Sequence, residues 1–158
     1  MLKKILDNQT CADCKLCCIF DRYDVWETPV FDEKTKNLLQ KEKNAEFIPK
    51  DNGYIFKVEK FDNEGLFTCP ALDSKTGCIL KDEKPFDCRI WPYRIMNVCG
   101  KRAITIASIC DAMYNKPLSE LTDFLKNGLA DIIFKYADEH PEIVKPYDHS
   151  YPVLMMEE

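Results

Sequence analysis

A length of 158 residues with 46% hydrophobic side chains suits one domain around one core and excludes a disordered chain. A formal net charge of −5 argues against a general nucleic-acid binder. No apolar run approaches the ~20 residues that span a bilayer. The opening Met1-Leu2-Lys3-Lys4-Ile5-Leu6-Asp7 starts like a secretory leader but turns polar at Asp7-Asn8-Gln9 before an apolar centre forms. We therefore expect a cytoplasmic protein with no membrane and no nucleic acid among its partners.

In chain order, residues 1–9 are expected to form a short helix that delivers the chain to a first cysteine loop, and residues 19–27 a strand. Thr28-Pro29 resembles a helix cap followed by a first-turn proline. An exposed helix follows over residues 32–44, with Leu38 and Leu39 as its apolar face. Residues 54–61 alternate loosely, and Asp62-Asn63-Glu64-Gly65 turns into Leu66-Phe67-Thr68, a hairpin ending at Cys69. A second hairpin joins residues 94–98 to 103–109 through a turn at Gly100-Lys101 and ends at Cys110. Asn115-Lys116-Pro117 starts a helix with Leu118, Leu121, Leu125, Leu129, Ile132 and Tyr136 on one face. Gly128 weakens this helix by about 1 kcal/mol relative to Ala, and His140-Pro141 opens one more short turn. The expected fold is α+β, a small irregular single domain over residues 1–158. It has cysteine loops and short β-hairpins in a cysteine-cluster region (11–110) and a C-terminal helical extension (111–158). The Leu/Ile stripe of that extension reads as core packing rather than as a cofactor site.

The nine cysteines, Cys11, Cys14, Cys17, Cys18, Cys69, Cys78, Cys88, Cys99 and Cys110, decide the chemistry. Reducing cytosol keeps thiols free, and an odd number suits a disulfide framework poorly, so metal ligation is the better use for them. The strongest pattern is Cys11-x-x-Cys14-x-x-Cys17-Cys18. A thiolate site needs several sulfurs within about 2.3 Å of one point, and each two-residue spacer returns the next sulfur to the same place. Three sulfurs from such a run also match what a 4Fe-4S cluster takes from one loop, and Cys69-Pro70 repeats the Cys-Pro of a remote ferredoxin-type ligand. Adjacent residues in extended chain point to opposite sides. Cys17 and Cys18 are therefore expected to serve two sites, or one of them to be a structural thiol. Cys69, Cys78, Cys88 and Cys110 bring the total to eight, enough for two four-thiolate sites.

The blocks Cys11-Ala-Asp-Cys14-Lys-Leu-Cys17-Cys18, Cys69-Pro70, Gly77-Cys78-Ile79-Leu80 and Lys84-Pro85-Phe86-Asp87-Cys88-Arg89-Ile90-Trp91-Pro92 resemble, in that order, the CxxCxxCC (YkgJ-type) family. These are small bacterial and archaeal cysteine-cluster proteins described as zinc- or iron-chelating. The family's block around its seventh cysteine reads R-P-x-x-C-R-x-x-P, and Lys84 stands here for the first arginine. The resemblance covers residues 11–110. It implies that Cys11, Cys14, Cys17, Cys18, Cys69, Cys78, Cys88 and Cys110 are the metal ligands, with Cys99 an extra. It extends distantly to the cysteine-rich part of flagellin lysine N-methylases. The five scattered glycines, Gly53, Gly65, Gly77, Gly100 and Gly128, form no glycine-rich nucleotide turn of the Rossmann kind.

Two four-thiolate sites holding zinc or a 4Fe-4S core would each carry about −2, taking the chain from −5 to about −9. Cations are expected near the sulfurs, and Lys15, Lys81, Arg89 and Arg94 are placed in sequence to supply them. Arg89, next to Cys88, is best placed to donate to a metal-bound sulfur; the plain alternative is a surface ion pair. His140 and His149, far from the cysteine blocks, read as exposed or capping groups. Trp91-Pro92 reads as packing beside the site, and Lys41-Glu42-Lys43 as a solvated helix face. Three functions remain open. One is a protein that coordinates an iron–sulfur cluster or zinc for electron transfer, sensing or chelation. The second is a metal-dependent, protein-modifying enzyme related to lysine N-methylases, whose catalytic residues the sequence does not mark. The third is a structural zinc fold that binds a protein partner. The C-x2-C-x2-C run leans to the cluster, while ligands spread over about a hundred residues suit a zinc staple equally. Cys99→Ser is expected to keep full metal content by elemental analysis; loss of half or more would mean that another cysteine is the odd one.

Overall fold

A computed structural model of the chain describes residues 1–21, 28–58 and 65–157. Its helices and small sheets make an α+β fold in two units, Asn8–Arg89 and Met1–Asp7 with Ile90–Glu158. No helix among the described residues is long and apolar enough to cross a membrane.

The Asn8–Arg89 unit opens with α1 (Asn8–Cys14) and a 3-10 turn (Leu16–Cys18). Cys11 and Cys14 thus lie on a helix, not in the expected loop after residue 9. The Lys15 N–H bonds the Cys11 carbonyl at 3.0 Å, and Lys15, at φ 58, turns the chain out of the helix. β1 (Ile19–Phe20) follows; residues 22–27 of the expected strand lie outside the described residues. Helix α2 (Glu33–Lys43) starts from Asp32, whose carboxylate accepts the Thr35 N–H at 2.7 Å. That bond satisfies an orphan helix donor, so Asp32 is the cap and Thr28-Pro29 is not. Leu39 is buried and Leu38 half-buried, as the apolar face requires.

Strands β2 (Phe47–Lys50) and β3 (Gly53–Phe56) form a hairpin. Residues 54–56 therefore pair backwards with β2 and not with residues 66–68; the expected turn at 62–64 lies outside the described residues. The turn chemistry of Asp51-Asn52, with Asp51 at φ 49, sits between two apolar stretches, and that local closure wins. β4 (Phe67–Thr68) pairs antiparallel with β1, Phe20 opposite Phe67. β5 (Leu72–Asp73) and β6 (Gly77–Cys78) form a second short hairpin. Its turn is held by the Asp73 carboxylate, which accepts the Lys75 and Thr76 N–H groups at 3.0 and 2.9 Å. The core of the unit is aromatic. Phe20 stacks on Phe67 at 5.3 Å, and Phe56 meets both at 5.9 and 6.0 Å. Each such pair contributes about 0.5–1.5 kcal/mol beyond area burial. Cys69, Ala71 and Leu80 belong to the same core.

In the other unit, β7 (Tyr93–Val98) and β8 (Lys101–Ile106) pair antiparallel. β9 (Lys145–Pro146) adds parallel to β7, and β10 (Val153–Met156) adds antiparallel to β8. The β7–β8 turn is Cys99-Gly100, one residue earlier than expected, because both residues take positive φ, 52 and 86, as a two-residue I′ turn demands. α4 (Asp111–Tyr114) and α5 (Leu118–Phe124) lead through a wide π turn (Leu125–Leu129) into α6 (Ala130–Glu139). Gly128, at φ 101, kinks this run, a conformation that costs glycine little. The buried series Leu121, Leu125 and Leu129 continues past the kink as Ile133 and Ala137, at the four-residue spacing that keeps one helix face. Leu118 and Ile132, expected on that face, are 64% and 50% exposed. Arg102 closes β10: its guanidinium pairs two-pronged with Glu157 and reaches Asp138 at 2.7 Å, while the Glu157 N–H bonds the Arg102 carbonyl at 2.9 Å. Arg102→Met is expected to lower the melting temperature by about 2–4 °C, equivalent to about 1 kcal/mol. An unchanged melt by circular dichroism would mean that the clasp is not stabilising.

Candidate metal centre

The backbone of the Asn8–Arg89 unit brings its cysteine blocks together. The Cys69 N–H bonds the Cys18 carbonyl at 2.9 Å, extending the β1–β4 ladder so that the first cysteine run meets the middle of the chain. The Leu72 N–H bonds the Cys69 carbonyl at 3.0 Å, and the Ile79 N–H bonds the Ala71 carbonyl at 2.9 Å, while Leu72 pairs with Cys78 across β5–β6. Helix α1 lies against β6. A Cβ on Gly77, which sits at φ 78, would stand 3.1 Å from the Ala12 Cβ and 3.2 Å from its Cα, so only glycine permits this approach. The Lys15 ammonium donates to the Ser74 carbonyl, a second tie between the cysteine run and this hairpin. Beyond β6, a 3-10 turn (Lys81–Glu83) and Pro85 lead into α3 (Phe86–Ile90), which carries Cys88 and Arg89. Proline is suited to the position just ahead of a helix.

None of the nine cysteines forms a disulfide. Cys17 and Cys18 share the 3-10 turn and their thiols hydrogen-bond. The expectation that they face apart assumed extended chain, and the turn removes it. The Cys18 thiol is the first cause that pushes the Cys17 thiol up, followed by burial, while Lys84 opposes the rise. Cys17 keeps an exposed surface, so the neighbouring thiol is the cause that counts. Burial pushes up the Cys69 thiol, and Cys88, Cys78 and Cys17 add to the rise. Burial also pushes up the Cys78 thiol, with Cys17 adding to it and Lys84 opposing. Cys17, Cys69, Cys78 and Cys88 are therefore electrostatic neighbours, and burial together with the neighbouring sulfurs holds the proton on Cys69 and Cys78. A metal ion takes the place of such protons when it binds.

Backbone donors face two of these sulfurs. The Ala71 N–H bonds the Cys69 sulfur, and the Leu80 and Lys81 N–H groups bond the Cys78 sulfur. N–H groups two and three residues beyond a cysteine favour its charged form and orient a thiolate ligand. The cation beside Cys17 and Cys78 is Lys84, which the sequence reading passed over as a cation although it lies in the family-like block. Of the cations expected, Lys15 is engaged at Ser74, and Arg94 lies over the Trp91 ring at 4.8 Å within the other unit. Arg89 lies over the Phe86 ring at 5.4 Å. Its Nε is buried with no hydrogen-bond partner among the described residues, a state that costs about 1–3 kcal/mol.

Cys11 and Cys14, three residues apart on α1, share a helix face. Cys110 belongs to the other unit, where its carbonyl accepts the Met113 and Tyr114 N–H groups at the start of α4. Cys99 is in the β7–β8 turn of that unit. His140 stacks on Tyr136 at 4.2 Å, and His149 is exposed beside Asp148. As the side chains stand, no three Cys, His, Asp or Glu residues among those described form a group that could hold a metal ion. The donor chemistry nonetheless suits one: soft thiolates select zinc, copper(I) and iron–sulfur clusters. Comparison with protein-family models, curated proteins and solved structures finds no match to the chain.

Gly77→Ala is expected to lower the melting temperature by a few degrees and to speed the reaction of the cysteines with a thiol reagent, because the new Cβ pushes α1 off the hairpin. A variant that matches the parent in both would show that the α1–β6 approach does not organise this region.

Proposed function

We propose that the Asn8–Arg89 unit is a thiolate metal centre in which Cys17, Cys69, Cys78 and Cys88 hold zinc or an iron–sulfur cluster in the reducing cytosol. The observation that carries this reading is the set of backbone N–H groups on the Cys69 and Cys78 sulfurs, in segments that also meet the Cys17–Cys18 turn. Cys11, Cys14 and Cys18 supply further thiolates from the first run. Bound there, zinc supplies a cross-link and a cluster supplies an electron-transfer couple. Lys84 balances part of the negative charge, and the Ala71, Leu80 and Lys81 N–H groups orient the sulfurs. Electron transfer, sensing and metal chelation are the duties that such a centre serves.

Anaerobic purification with elemental analysis and a visible spectrum tests the proposal: a cluster is brown and zinc is colourless. The parent is expected to carry at least about one equivalent of metal. Cys14→Ser and Cys88→Ser are expected to lower both metal content and melting temperature, since metal binding that ties separate segments together is folding energy, about 10 kcal/mol or more for structural zinc. A metal-free parent would overturn the reading. A variant that loses its metal yet melts like the parent would show that the centre is an addition to a finished core.

A further inference from the structure

We propose that Cys17 and Cys18 form a reversible disulfide with each other by exchange with a low-molecular-weight thiol–disulfide couple. The two sit side by side on the 3-10 turn Leu16–Cys18. Successive side chains of such a turn fan about 120° apart, yet here the two thiols meet and hydrogen-bond. Cys18 is held from both sides: its N–H bonds the Lys15 carbonyl at 2.8 Å, and its carbonyl accepts the Cys69 N–H at 2.9 Å. Cys18 also packs half-buried against the aromatic core. Cys17 is exposed, so a small disulfide can reach the pair, and access is one condition of exchange.

The exchange balances with that couple as its only co-reactant. One sulfur of the pair, as thiolate, attacks the small disulfide, releases one small thiol and keeps the other half as a mixed disulfide. The second sulfur of the pair then attacks the first and releases the second small thiol. Two protein thiols are oxidised to one disulfide, one small disulfide is reduced to two thiols, and both protons go to the released thiols. Since the Cys18 thiol helps to hold the proton on Cys17, the exchange is slow and is read at equilibrium. Neighbouring Cα atoms lie about 3.8 Å apart across a trans peptide, below the roughly 4.4–6.8 Å of an unstrained disulfide. The bond is therefore strained, and strained or exposed disulfides are the labile, regulatory ones. This suits a pair that follows the redox poise of its surroundings, not a permanent staple. In the metal centre proposed above, an effect that rests on that reading, the same oxidation removes Cys17 and Cys18 as ligands.

Glutathione buffers of graded thiol-to-disulfide ratio test this on the full chain, with a chelator present so that no bound metal shields the sulfurs. After equilibration and acid quench, free thiols are alkylated and the peptide carrying Cys17 and Cys18 is weighed by mass spectrometry. The parent is expected to lose two hydrogens from that peptide as glutathione disulfide comes to dominate, in one step that dithiothreitol reverses. Cys18→Ser is expected instead to hold one glutathione on Cys17. If that variant fails to fold, the parent's peptide still decides. Three results would overturn the proposal: a pair that stays reduced in excess glutathione disulfide, a glutathione adduct that accumulates on Cys17 of the parent, or a bridge from Cys17 or Cys18 to another cysteine. Each leaves the metal centre standing, because thiol exchange in the chelated chain does not bear on it.

Discussion

The hydrogen bond from the Cys69 N–H to the Cys18 carbonyl, at 2.9 Å, is the constraint on which the cysteine region depends. It extends a ladder of only two residue pairs, Ile19 with Thr68 and Phe20 with Phe67, and so short a pairing is not stable by itself in water. The aromatic core makes it persist. Phe20 and Phe67 come from the two strands and stack on one another, and Phe56 of the β2–β3 hairpin packs against both. Burial of those rings fixes the β1–β4 register, and the register sets Cys18 beside Cys69. Cys69 then starts the turn that places Cys78 across from Leu72. Packing, ladder and cysteine placement form one sequence of causes, with the apolar term at its root.

Electrostatics works against this arrangement until a cation is present. Burial raises the cost of ionising Cys69 and Cys78, and the neighbouring sulfurs add to it; at Cys17 the Cys18 thiol is the first cause. The same elements carry partial compensation: backbone N–H groups on two sulfurs, and Lys84 beside Cys17 and Cys78. Donors arranged around neutral thiols have little purpose, because hydrogen bonds to a charged acceptor are the strong ones. Donors arranged around metal-bound thiolates orient the ligands and set their basicity.

The α+β class, helix α2 and the β7–β8 hairpin were legible in the sequence because each rests on local signals, a polar stretch with Leu38-Leu39 or an apolar run around Gly100. The cysteine blocks were legible as residue types and spacings. What connects them was not. The β1–β4 pair is two residues long and joins segments far apart in the chain, so no periodicity marks it. The β2–β3 hairpin displaced the expected one because Asp51-Asn52 closes a nearer turn. Cys11 and Cys14 were expected in a loop, yet their three-residue spacing is also helical. Gly128 was read as a weak point in a straight helix; its positive φ instead kinks the run, and Ile133 rather than Ile132 is buried beyond it. The N–H groups of Ala71, Leu80 and Lys81 are backbone atoms, which a reading by residue type does not weigh.

The proposed centre would surround its metal with sulfur alone. X-ray absorption at the metal edge of the full chain, in the form in which it is purified, measures this most directly. The account predicts a first shell of sulfur only, at about 2.3 Å for zinc or iron, that loses occupancy in Cys78→Ser. A first shell of nitrogen or oxygen, or one that Cys78→Ser leaves unchanged, would contradict it.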